Sequence, residues 1–157
     1  MNTYAIKRPD GGVTILTLAH PDATIHGEID KLLEAHPEYY GTPDPDEPGT
    51  YTVEYHPVGQ LPKDRTFRDA WTADSTGKVN VDLPKATEIH KNRWREARKA
   101  KLEALDVEHM RAIEVDDKAK MREVSAKKQA LRDVTKTDLN SIKTPDELAK
   151  VWPEILK

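Results

Sequence analysis

The sequence predicts an α+β fold: a small N-terminal β-β-α-β unit, then a long helical hairpin and a short C-terminal helix. Three observations predict it. Apolar residues alternate or run together in short stretches near the N-terminus, with Gly and Pro between them. From Lys85 to Val134 there is neither Pro nor Gly, and the stretch is rich in Ala, Glu, Lys, Arg and Leu, the good helix formers. Near the end, Thr144-Pro145-Asp146-Glu147 has the spacing of a capping box with proline in the first turn.

The elements follow in order. Tyr4-Ala5-Ile6-Lys7 and Val13 to Leu18 read as a β-hairpin across Pro9-Asp10-Gly11-Gly12, where Gly takes positive φ without steric cost. The second run is apolar on both faces, which predicts a central strand. After His20-Pro21, Asp22 or Thr24 can cap a helix to about His36. Ile25, Ile29, Leu32 and Leu33 form its apolar stripe, and Pro37 ends it. Residues 41–49 are a Pro/Asp loop, and Tyr51, Val53 and Tyr55 alternate as a half-buried strand.

This divides the chain into an α+β domain over 1–58, a linker with a short helix over 59–82, and a helical part over 83–157. In the linker, Asp64 is placed to cap a short helix carrying Phe67, Ala70 and Trp71. Asp74-Ser75-Thr76-Gly77 is a turn, and Val79 and Val81 are extended. The segment 85–134 reads either as one long helix or as a hairpin. The hairpin is preferred, with its break near Val115-Asp116-Asp117, because Asp caps helices and disfavours their interiors. Ile89, Leu102, Leu105, Met110 and Ile113 would then face Met121, Val124 and Leu131. The spacing is too ragged for a coiled coil. Leu148, Val151 and Trp152 line the terminal helix, closed by Pro153.

Composition bounds the function. Of 157 residues, 36% are hydrophobic and 34% charged, against about 45–50% and about 25% in ordinary globular domains. The core is therefore thin, which suits an elongated shape or stability shared with a partner. A formal net charge of −3 gives no global attraction to nucleic acid or acidic membranes. There are no cysteines, so disulfides and thiolate metal sites are excluded. The N-terminus lacks signal-peptide character, and no apolar run reaches the ~20 residues that span a bilayer. The expected location is a cytoplasm, or an assembly built there.

No catalytic motif is present, and the chain is expected to be non-enzymatic and free of cofactors. His20, His26, His36, His56, His90 and His109 show no H-x-x-x-H spacing and no H-E-x-x-H, so no metal site is expected. Glu114, Asp116 and Asp117 crowd three carboxylates together. At a helix break these read as caps in preference to an acid–base pair. Gly11-Gly12 is a turn without phosphate-loop context, and no serine lies in G-x-S-x-G. The strongest charge feature, Lys91 to Lys101, holds six bases and one acid around Trp94. It reads as a solvated helix face, with an acidic protein or nucleic acid as alternative partners.

Several strings carry a resemblance: Phe67-Arg68-Asp69-Ala70-Trp71, Val79 to Ala86, Ile89-His90, Arg93, Leu105-Asp106, Lys128 to Asp133, Thr144 to Leu148 and Trp152-Pro153. In this order they resemble small proteins encoded among the tail genes of tailed bacteriophages, including tail and tail-fibre assembly chaperones. The resemblance covers roughly residues 65–153 and carries no catalytic residues. It implies a structural protein of the tail, tail fibre or tail tip, present in the virion, a homo-oligomer in contact with other tail proteins. The alternatives are an assembly chaperone in the host cytoplasm, absent from the particle, and a small nucleic-acid-binding regulator using 91–101. The residues expected at the protein interface are Phe67, Trp71, Trp94, Arg98, Trp152 and Leu156.

Overall fold

The computed structural model describes residues 2–40 and 53–157, the side chains of 39 and 40 excepted. The expected loop over 41–49 and the start of the third strand at Tyr51 lie outside the described residues. The fold is α+β, and the chain divides into two units, Met1–Asp82 and Leu83–Lys157.

In the first unit, β1 (Asn2–Lys7) and β2 (Val13–Leu18) form an antiparallel hairpin, and β3 (Tyr55–Pro57) pairs antiparallel with the other side of β1. The order is β2-β1-β3, so β1 is central and β2 is an edge, contrary to the expectation from its apolar character. The reason is that both faces of this sheet are covered. Ile6 points to one face and packs with Ile29 and Leu33 of α1 (Ile25–Ala35), with Val53, Leu16 and Tyr55 around them. Ala5, its neighbour, points to the other face and packs with Trp71 and Val79, with Val13 and Ile15 of β2 alongside. An edge strand between two such layers needs apolar residues on both sides.

Local chemistry sets the turns. Gly11, at φ 76°, closes the first hairpin, where Gly12 N–H donates to Asp10 Oδ1 at 2.8 Å. Thr24 caps α1 by accepting from Gly27 N–H at 3.1 Å. A short helix, α2 (Pro37–Tyr40), follows.

Residues 59–82 are not a linker. Phe67 and Trp71 do not share a helix: a single 3-10 turn, Arg68–Ala70, leads directly into β4 (Trp71–Ala73), which pairs with β5 (Val79–Val81). Asp64 serves that segment as a turn residue, its Oδ1 taking both the amide and the hydroxyl of Thr66. At the β4–β5 turn, Asp74 Oδ1 accepts from Thr76 N–H at 2.8 Å, Thr76 Oγ1 at 2.6 Å and Lys78 N–H at 3.1 Å. Gly77 sits at φ 79°, and a Cβ there would run into the carbonyl oxygen of Pro57.

The second unit is the helical hairpin α3 (Leu83–Glu114) and α4 (Lys118–Asp133), followed by α5 (Pro145–Lys150) and a closing 3-10 turn, Glu154–Leu156. The break falls at residues 115–117. Asp116 adopts φ 50°, and its N–H donates to Ile113 O at 3.0 Å while Asp117 N–H donates to Ala112 O at 2.9 Å. These two bonds are a Schellman stop with Asp at the left-handed position usually held by Gly. The Asp117 carboxylate then caps α4 by accepting from Lys120 N–H at 2.9 Å. Thr144 caps α5 through Glu147 N–H at 3.2 Å.

The inward face of α3 differs from the expected one. Ala86, His90, Trp94 and Ala112 are buried, with Val124 and Leu131 of α4. Met110 and Ile113, expected to face α4, are exposed. The ion pairs Lys120–Glu108, at 3.7 Å, and Lys128–Asp106 link the two helices.

Candidate interaction surfaces

Of the six residues expected at an interface, four are core. Phe67, Trp71, Trp94 and Leu156 are buried, Trp94 completely at 0% exposure. A thin core draws its largest side chains inward, because one Trp or Phe buries about 150–250 Å². Trp71 fills the layer over Ala5. Trp94 meets the His90 ring edge-to-face at 5.2 Å, and His90 meets Trp152 in the same way at 5.9 Å. His90 Nε2–H donates to Val151 O at 2.7 Å, tying the residues after α5 to α3. Trp152 is half-buried in this stack.

Arg98 is also structural. Its Nη1 donates to Arg132 O at 2.8 Å and Leu131 O at 3.3 Å, satisfying carbonyls left open at the end of α4, where a cation also complements the helix dipole. The rest of the Lys91–Lys101 segment disperses. Arg95 pairs with Glu88 at 2.5 Å, and Lys101 donates to Lys157 O at 2.5 Å. The alternative of a basic stripe that stacks a base on an inserted Trp lacks its aromatic, because Trp94 has no exposed face.

Among the described residues no group of three or more His, Asp or Glu is placed to hold a metal ion, and no helix is long and apolar enough to cross a membrane. The perturbed carboxylates are held low by hydrogen bonds at exposed positions. The Thr76 hydroxyl lowers Asp74, Lys128 lowers Asp106, Lys136 lowers Asp133, and Lys127 lowers Glu123. Each ties down a turn or a helix, and the pair that lowers Glu123 also raises its partner Lys127.

Among the described residues the exposed large hydrophobics are Ile155, near the C-terminus, and a group at the far end of the hairpin. Val107, Met110, Ile113 and Val115 are exposed, Met110 by 64% and Val115 by 74%. Val107, Met110 and Ile113 recur at three-residue spacing, so they share one side of α3, away from the face that holds Trp94 and Ala112. The signal for them was present: two apolar stripes run through this helix, and only one can face α4. A second feature, a cleft between the start of α3 and the segment after α4, has three lysines in its lining.

No protein-family model, curated protein or solved structure matches this chain.

Proposed function

We propose that the chain is a non-enzymatic structural protein of a bacteriophage tail, tail fibre or tail tip, working through protein–protein contacts in the virion or during its assembly in the host. The resemblance of residues 65–153 to tail-region proteins supports the class. The observation that carries the contact function is the exposed apolar set Val107, Met110, Ile113 and Val115 at the end of the hairpin. In a chain this poor in apolar residues, four of them left to solvent at one place mark a contact surface.

The test is the solution mass of the purified protein together with its presence in purified particles, for the native chain and for Met110→Asp/Ile113→Asp. The reading expects the native protein in particles, or in a complex with a tail protein, and a folded variant that is lost from both. A protein found in such a complex but absent from finished particles is the assembly chaperone of the same class. A native chain that stays monomeric and joins neither particles nor tail proteins overturns the proposal.

A further inference from the structure

The second unit holds a cleft of about 540 Å³ between the first turns of α3 and residues 136–143. Its lining combines two chemistries. Leu83, Leu139 and Ile142 are the large apolar residues of the lining, and Lys91, Lys136 and Lys143 are its cationic residues. Asp138 is the single acid in the lining, and its Oδ1 already accepts the Asn140 amide at 2.9 Å. Lys136 pairs at 2.6 Å with Asp133, and Lys143 Nζ donates to Asn140 O at 2.9 Å. Lys91 has no ion-pair partner among the described residues. The lining is thus net positive in a chain whose net charge is −3.

The hydroxyls narrow the ligand class. Thr87 Oγ1 donates to Leu83 O at 2.9 Å and Thr137 Oγ1 to Val134 O at 2.7 Å. With those protons committed, the lysines and the Asn140 side-chain amide are the side-chain donors left in the lining, and three cations against one acid favour an anionic ligand. The volume lies within the range of about 300–1,000 Å³ typical of small-molecule sites and is far more than a bare phosphate ion fills. We propose that this cleft binds a small phosphomonoester of nucleotide size, with its phosphate among Lys91, Lys136 and Lys143 and its organic body on Leu139 and Ile142. This site is separate from the exposed end of the hairpin, and its success or failure leaves the tail reading untouched.

The experiment is a two-dimensional NMR titration of the full chain with AMP, adenosine and inorganic phosphate at low and moderate salt. Saturable AMP shifts confined to residues 83–91 and 136–143, weakened by salt, are expected. Adenosine and phosphate should each bind at least about tenfold more weakly, since either one forgoes the charge-assisted bonds or the apolar contact. Lys91→Glu and Lys143→Gln should each weaken AMP by about tenfold. Their amide spectra report folding independently, and exposed Lys143 can be changed even if Lys91→Glu disturbs the helix. No AMP shifts, shifts elsewhere, or equal affinity for AMP and inorganic phosphate would overturn the proposal.

Discussion

His90 is the residue on which the second unit turns. It is 2% exposed, its ring lies between Trp94 and Trp152, and its Nε2–H is the donor to Val151 O at 2.7 Å. Two substitutions separate these roles. His90→Phe keeps a ring against both indoles and removes the donor, leaving the Val151 carbonyl unsatisfied. Such a loss costs about 1–3 kcal/mol. His90→Ala removes the ring as well. Two edge-to-face contacts at about 0.5–1.5 kcal/mol each and a cavity bring the cost to about 3–5 kcal/mol. For a unit of this size about 1 kcal/mol moves Tm by roughly 4–8 °C, so His90→Phe should lower it by at least about 4 °C and His90→Ala by about 12 °C or more. The assay is thermal and urea denaturation followed by circular dichroism, with a double-mutant cycle through Trp152→Leu. The cycle should give a coupling of about 0.5–1.5 kcal/mol between His90 and Trp152. A His90→Phe protein as stable as the native chain, or an additive cycle, would refute the claim that this histidine fastens the C-terminal segment.

Three further outcomes follow from single positions. Gly77→Ala should destabilise the first unit by more than about 2 kcal/mol, because strained φ and a clash with the Pro57 carbonyl add together. Gly11→Ala, with a similar φ and open space around it, should cost only about 1 kcal/mol, and equal losses in denaturant midpoints would remove the steric argument. Asp116→Gly should raise stability by up to about 1 kcal/mol, since relief of the left-handed strain outweighs the added freedom of the unfolded chain; a fall in Tm would count against the Schellman stop. Acidification bears on the carboxylates. Asp106 and Asp133 have folded pKa values below their ordinary ones, so their contribution is present at neutral pH and is lost as pH falls below about 4. Asp106→Asn should therefore lower Tm at pH 7 and leave it unchanged near pH 2, and an equal drop at both would show that the Lys128 pair is not the cause.

How much of this was legible in the sequence depends on what each residue signals locally. The hairpin break was readable because Asp116 and Asp117 are poor helix interiors and good stops, and the Thr144 cap because its partners sit at fixed offsets. The packing face of α3 was not. Ala112 and His90 do not announce themselves as core by hydropathy, whereas Met110 and Ile113 do, and the short connection between the helices favours the small side chain at the point nearest the turn. Residues 67–71 misled for a related reason. Two aromatics four apart suit a helix face, yet Trp71 begins a strand because the second face of the N-terminal sheet needed a cover. Tertiary demand overrode spacing in both cases. Arg98 was singled out for its charge, but its use is to close the carbonyl end of α4, and only the antiparallel return of the chain brings that end within reach.

The scarcity of apolar residues gives the surface its meaning. In each unit a tryptophan packs among alanines as part of the core: Trp71 over Ala5 in the first, and Trp94 with Ala86 and Ala112 buried in the second. Small residues let backbones approach closely, so a little apolar area closes the interior. The residues left over are then unevenly placed. Val107, Met110, Ile113 and Val115 fall within nine residues of one another at one end of the hairpin, on the side α4 does not cover. A fold short of hydrophobic material has every reason to draw them in, and a helix rotated by about one residue would bring some of them against α4 at the expense of Ala112. The rotation observed keeps Trp94 in the core and His90 and Arg98 in their hydrogen bonds, so the geometry of the core and the exposure of the tip are set by the same turn of α3. Changing the tip to polar residues should therefore leave the core as it is, so the proposed association can be tested without a loss of stability.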